Sequence, residues 1–172
     1  MRTTGKLASD GGHALGVVVL LSILAVAGVS DAQLSFGFRK SISIDNAQVS
    51  GSTALTDFPL LVNVTDADLR TTVKGGHVAS SSGDDILFRV LDDATCGGVG
   101  LAPCTLDHEI EKYDDETGNF VAWVRIPSLS ATSDTTLYMY YGNSSITAPI
   151  ENPAGVWESN YKGVWHLHDD FE

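Results

Sequence analysis

Two glutamates, Glu109 and Glu111, occupy alternate positions in a segment of alternating polarity. On a strand such residues share one face, with their Cα atoms roughly 6.5–7 Å apart. Paired carboxylates at this spacing can act as acid and nucleophile in glycoside hydrolysis. The alternative is a solvated strand face whose carboxylates pair with Arg125 or Lys112 across a hairpin. Because Tyr113 stands where alternating catalytic acids would continue, we expect a non-enzymatic protein and assign no catalytic residue.

Three aromatic residues, Trp123, Tyr138 and Tyr140, have the opposite parity to the apolar residues of their segments. If these two segments pair as strands, the rings form a platform that can bury the apolar face of a sugar, with Glu109 and Arg125 supplying hydrogen bonds. The alternative is that this face is buried under a second sheet or a following domain, since sandwich cores commonly contain a tryptophan. Both interpretations stay open.

The best candidates for a metal site are Asp84 and Asp85, which follow a Ser/Gly-rich loop. Loop carboxylates combined with carbonyl oxygens are typical Ca²⁺ ligands. However, the spacing matches no complete calcium loop, and aspartates also serve in turns and helix caps. We therefore expect no cofactor, with Ca²⁺ at this pair as the alternative.

The first 32 residues are typical of a signal peptide. Arg2 and Lys6 precede an apolar run at 14–29, and small residues end the segment at Ala32. The run is shorter than the roughly 20 residues that span a bilayer. The sequence thus predicts cleavage after Ala32 and a secreted, periplasmic or cell-surface location, with an uncleaved membrane anchor as the alternative.

The two cysteines, Cys96 and Cys104, enclose a short Gly/Pro-containing loop. In an oxidising compartment a close, even pair indicates a disulfide. Zinc would require further ligands at a spacing that this sequence does not offer. We therefore expect a disulfide that holds an exposed loop.

Six segments alternate between apolar and polar residues, with turn-forming residues between them, and none has a sustained helical period. This pattern predicts an all-β fold, an antiparallel, jelly-roll-like β-sandwich preceded by a signal helix. We expect the signal peptide at 1–32, the sandwich at 33–148, and at 149–172 a connection that could begin a following domain. The predicted strands are 36–44, 58–64, 86–91, 105–113, 120–126 and 136–141.

The formal net charge of the chain is -12. An electric field of this sign repels phosphate backbones and anionic lipid surfaces, so we expect no nucleic-acid partner, and membrane contact only through an uncleaved N-terminal segment.

Seven short motifs occur in order along the chain: Phe38-Arg39-Lys40 with Ile42 and Ile44, Phe58-Pro59-Leu60-Leu61-Val62, Asp84-Asp85-Ile86-Leu87-Phe88, Glu109-Ile110-Glu111, Trp123-Val124, Tyr140-Tyr141-Gly142-Asn143 and Val164-Trp165-His166-Leu167. This set resembles a mostly bacterial family, domain-of-unknown-function family 2341. Members of that family often precede a concanavalin-A-like (laminin-G-like) domain. The resemblance implies an exported, β-rich binding domain and transfers no catalytic residue. The Cys96–Cys104 loop departs from the family pattern, whereas Gly163-Val164-Trp165-His166-Leu167 looks like the opening of a lectin-like domain.

Together these observations favour an exported, non-enzymatic β-sandwich module of a surface or secreted protein, with a binding or structural role. Its partner would be a glycan or another surface protein or domain. The alternatives are a carbohydrate-binding module that uses the three aromatic residues and a glycoside hydrolase-like enzyme that uses the paired glutamates.

Overall fold

The computed structural model describes residues 35–98, 103–157 and 161–164. The predicted signal peptide with its helix lies outside the described residues, as does the part of the predicted following strand at 165–172. Within the described ranges, no helix has the length and apolar character needed to cross a membrane.

Within the described residues, seven antiparallel strands form two sheets, which confirms the all-β sandwich. They are β1 (Phe38–Ile44), β2 (Leu55–Thr65), β3 (Leu87–Val90), β4 (Cys104–Leu106), β5 (His108–Asp114), β6 (Asn119–Leu129) and β7 (Thr135–Tyr141). One sheet has the order β1-β7-β3-β4 and the other the order β2-β6-β5. A short helix, α1, spans Pro153–Val156, and single 3₁₀ turns occupy Asn46–Gln48, Ala67–Leu69, Thr72–Lys74 and Asp93–Cys96.

The core lies between the two sheets because alternate residues of each strand point inward. In β6 the inward residues Phe120, Val124 and Ile126 are fully buried, and they pack in the same cluster as Phe88 of β3 and Leu137 of β7. Burial of such a side chain contributes about 1.5–3 kcal/mol. The outward residues of the same strands are thereby left on the two outer faces of the sandwich.

The chain passes from one sheet to the other at Asp107, the single residue between β4 and β5. The predicted continuous strand at 105–113 is therefore wrong at this position. Leu106 and His108 are both buried on either side of the crossing, which anchors it. The crossing places Asp107 at the side of the sandwich, where its carboxylate reaches residues of the second sheet.

Two local features follow from cap and turn chemistry. Asp66 caps the 3₁₀ turn Ala67–Leu69, since its carboxylate accepts a hydrogen bond from the backbone N–H of Asp68 at 2.9 Å. The hairpin between β5 and β6 turns through Gly118, whose φ of 72° favours glycine. A β-carbon at Gly118 would also collide with the backbone carbonyl of Asp66.

The predicted disulfide between Cys96 and Cys104 is present, with Cα atoms 6.6 Å apart. It joins the end of the 3₁₀ turn Asp93–Cys96 to the first residue of β4. Because it closes a short loop, its expected stabilisation is near the low end of the range, about 2–3 kcal/mol. Its main effect is to fix the segment that follows β3 against the sheet.

Candidate functional site

The combined aromatic platform required β6 and β7 to pair, and this pairing is wrong: the two strands lie in different sheets. The connection at 130–134 crosses the sandwich instead of closing a hairpin. Trp123 consequently lies on the outer face of the β2-β6-β5 sheet, whereas Tyr138 and Tyr140 lie on the outer face of the β1-β7-β3-β4 sheet. The alternative that this face is buried under the second sheet is also wrong, since all three rings point outward and are only partly buried. Burial under a following domain stays a prediction.

The outer face around the two tyrosines is here called the tyrosine face, made up of Phe36, Arg39, Arg89, Tyr138 and Tyr140. Tyr138 and Tyr140 are alternate residues of β7, so their rings stand side by side along the strand. Phe36 packs against Tyr140, with ring centroids 5.9 Å apart. The strand thus presents neighbouring aromatic rings to solvent.

Both arginines of the tyrosine face lie against its rings. Arg39 is opposite Tyr140 in the ladder, yet its guanidinium carbon lies 4.9 Å from the centroid of the diagonal ring, Tyr138. Arg89 is opposite Tyr138, and its guanidinium carbon lies 6.0 Å from the centroid of Tyr140. These are cation–π distances. Arg39 also donates a long hydrogen bond of 3.4 Å to the Tyr140 hydroxyl, and Arg89 donates from Nε to the Thr105 hydroxyl at 3.1 Å.

The charge of the tyrosine face is opposite to that of the whole chain. Within the strand bounds given above, the outward positions of β1, β7, β3 and β4 include two arginines and no carboxylate, although the chain carries a formal net charge of -12. The face therefore offers guanidinium N–H donors beside aromatic rings, an arrangement suited to hydroxyl or carboxylate oxygens of a ligand.

The outer face of the other sheet is here called the tryptophan face, made up of Glu109, Glu111, Trp123, Arg125 and Trp157. Its two indole rings lie 5.4 Å apart at 59°. The Trp123 indole N–H donates to Glu111 at 2.8 Å, and the Trp157 indole N–H donates to Glu109 at 2.6 Å. The paired carboxylates thus act as acceptors for the two indoles, which the sequence did not reveal.

The segment 149–157 packs back onto the sandwich along β5. The Glu151 carboxylate accepts from the Ile110 backbone N–H at 2.7 Å, and the Asn152 backbone N–H donates to the His108 carbonyl at 2.9 Å. Trp157 then covers part of Trp123. The first part of the predicted connection is therefore attached to the domain and shields the tryptophan face.

Arg125 is held by two carboxylates rather than by Glu109. It donates to Asp57 and to Asp107, each at 2.7 Å. Burial alone would raise the pKa of Asp107, but hydrogen bonds from Arg125 and Asn152 outweigh it and hold that pKa below its ordinary value. Hydrogen bonds to Asp107 and Asp57 in turn raise the pKa of Arg125. The Arg125 guanidinium therefore serves to stabilise the fold.

The carboxylates of both calcium candidates, Asp84 and Asp85, accept hydrogen bonds from neighbouring groups of the chain. The fully buried carboxylate of Asp85 accepts backbone N–H groups from Ala79, Ser80, Gly142 and Asn143 at 2.8–3.0 Å. Asp84 accepts the hydroxyl of Ser80 at 2.8 Å. A cation at Asp85 would have to displace these donors, and no cluster of three or more His, Cys, Asp or Glu suited to a metal occurs in the described part of the chain.

Sequence reasoning missed Arg39, Arg89 and Phe36 as members of the tyrosine face. Their parity does place both arginines on outward positions, so the sequence alone indicated that each lies on an outer face. The missing information was which strands neighbour β7, because Arg39 and Tyr140 are 101 positions apart in the chain.

A family model described as a domain of unknown function (DUF2341) matches residues 102–172. No curated protein matches the chain, and no solved structure matches it. The match includes β5, β6 and β7 but not the motifs at 38–88 on which the resemblance also drew. Over residues 102–172 this chain is similar to that family of domains, as the sequence analysis expected.

Proposed function

We propose that this chain is a non-enzymatic binding module of an exported protein, and that it binds saccharide through the tyrosine face. The observation that carries the proposal is the pair of outward rings, Tyr138 and Tyr140, flanked by two guanidinium groups on outward strand positions that include no carboxylate.

The chemistry of this face suits a sugar chain. Aromatic rings bury the apolar C–H faces of pyranoses, and their spacing of two residues along a strand, roughly 6.5–7 Å, lets consecutive rings contact one extended ligand. Arg39 and Arg89 can donate to hydroxyl or carboxylate oxygens at the edges of the sugar. Their contacts with the tyrosine rings orient both guanidinium groups in advance of binding.

The disulfide and the N-terminal sequence pattern support export. A structural disulfide is typical of oxidising compartments, and the segment 1–32 has the sequence features of a signal peptide. Export would bring the tyrosine face into contact with polysaccharides at the cell surface or outside the cell.

The tryptophan face gives less support to binding or hydrolysis. Trp157 covers part of Trp123, and both indole N–H groups already donate to the paired glutamates. Arg125 is engaged by Asp57 and Asp107. A glycosidase reaction at Glu109 and Glu111 would have to break these contacts first, so we do not favour it.

A glycan array followed by calorimetry with the retained oligosaccharide tests the proposal on the purified full chain. We expect Tyr138→Ala and Tyr140→Ala each to weaken binding at least about tenfold, since each removes one stacking ring. Tyr161→Ala is the matched control, because that tyrosine is 43% exposed outside the tyrosine face, and it should bind like wild type. Equal affinity of all three variants, or no retained glycan, would contradict the proposal.

A further inference from the structure

A groove opens at one end of the tyrosine face, between β3 and β7. The ladder that joins these strands ends at Arg89↔Tyr138. Beyond that rung β7 continues to pair with β1 as far as Thr135, and β3 continues to pair with β4 as far as Val90. The two strands therefore separate and leave between them a cavity of about 460 Å³, with Tyr138 among its lining residues.

The lining of this groove is rich in hydroxyl groups. One wall carries Ser128, Ser130 and Thr136, and the other carries Asp92 and Thr95. Hydroxyls and carboxylates that converge on an open cavity are suited to hydrogen-bonding a polyhydroxylated ligand. The volume is in the range of small-molecule sites, where a few polar groups fix the orientation of the ligand.

Both walls are held in place by contacts within the fold. The Ser130 hydroxyl accepts the backbone N–H groups of Thr132 and Ser133, which shapes the turn after β6. The opposite wall includes the 3₁₀ turn Asp93–Cys96, which the disulfide to Cys104 ties to β4. The groove is thus a preorganised surface, and preorganisation lowers the entropic cost of binding.

We propose that this groove is a second subsite of the tyrosine face and takes an uncharged sugar residue of the same saccharide chain. This inference rests on the proposed function. Tyr138 belongs to both surfaces, so a chain stacked on Tyr140 and Tyr138 runs directly into the groove. Asp92 and Asp134 line the groove and repel an acidic sugar, whereas they accept hydrogen bonds from the hydroxyls of a neutral one.

The test is calorimetric titration of the full chain with neutral hexasaccharides of cellulose, xylan, mannan and chitin type. Ala94→Trp fills the groove from an exposed position on its wall, and Ser133→Trp fills it from the other side if the first variant fails to fold. Val73→Trp is the matched control, because Val73 is 85% exposed and does not line the groove. Far-ultraviolet circular dichroism and thermal unfolding check the fold of each variant.

We expect the groove-filling variant to weaken hexasaccharide binding at least about tenfold, while Val73→Trp binds like wild type. If Tyr140→Ala weakens binding and the filled groove does not, the second subsite is overturned and the tyrosine face stands. If the filled groove weakens binding and Tyr140→Ala does not, the groove is a site of its own and the proposed function fails. If no neutral hexasaccharide binds to wild type, the neutral-sugar subsite is overturned, whereas the proposed function is decided by the glycan array.

Discussion

The tyrosine face and the tryptophan face are the two outer surfaces of one sandwich, and both combine aromatic rings with arginine. On the tryptophan face the charged groups and the indoles pair within the chain: Arg125 bridges two carboxylates, and both indoles donate to glutamates. On the tyrosine face the arginines lie over rings, with one further hydrogen bond each to a hydroxyl group.

This difference separates residues that stabilise the fold from residues that are available to a ligand. A guanidinium held by two carboxylates at 2.7 Å cannot turn towards a ligand without leaving two charges uncompensated. A guanidinium that lies over a ring keeps N–H donors available for a ligand. From residue types alone, the tryptophan face would be the stronger candidate for ligand binding. Its contacts indicate instead that its residues stabilise the fold.

The largest contrast in stability is expected between Trp157→Ala and Tyr140→Ala. Loss of the Trp157 ring uncovers Trp123 and leaves Glu109 without its indole donor, which should lower the free energy of unfolding by about 3 kcal/mol. Loss of the Tyr140 ring should lower it by about 1 kcal/mol. Urea denaturation measures both values, and equal losses would remove the distinction between the two faces.

A second contrast concerns the arginines. Arg125→Met leaves Asp57 and Asp107 without their shared cation, and we expect a loss of about 2 kcal/mol in unfolding free energy. Arg89→Met, the matched change on the tyrosine face, should cost less than about 0.5 kcal/mol. Denaturation of the two variants checks this, and a larger loss for Arg89→Met would reverse the assignment of roles.

A smaller effect on the free energy of unfolding is expected from a change in pH. Because the folded-state pKa of Asp107 is lowered, its carboxylate contributes stability above its unfolded-state pKa of about 3.9, and this contribution disappears as the pH falls through the folded value. Asp107→Asn should therefore be less stable than wild type by about 1 kcal/mol near neutrality, with the difference shrinking below about pH 4. Denaturation at several pH values tests this, and a difference that is constant with pH would contradict the ionic role of Asp107.

The sequence predicted the local features of this fold well because alternation and turn chemistry act over short distances. It gave Trp123, Tyr138 and Tyr140 the opposite parity to the core residues of their strands, and it identified the Cys96–Cys104 disulfide. These outcomes depend on each residue and a few neighbours, so a single chain contains the necessary signal.

The sequence could not assign strands to sheets. Residues 130–134 are compatible with a tight hairpin and with a crossing between sheets, and only the packing of both layers decides between them. Likewise, nothing local distinguishes Asp107 as the point where the chain changes sheets. The neighbours of Tyr140 across the ladders, Arg39 and Leu87, come from distant parts of the chain, so the composition of the tyrosine face emerged only from the fold.

The most direct test of the central claim is a magnetic-resonance titration of the nitrogen-labelled full chain with an oligosaccharide retained on the array. We expect the amide signals of Arg39, Arg89, Tyr138 and Tyr140 to shift with a common saturating curve, while those of Trp123 and Arg125 stay in place. Saturating shifts confined to Trp123, Arg125 and the segment 149–157 would contradict it, because the ligand would then occupy the face assigned here to the stability of the fold.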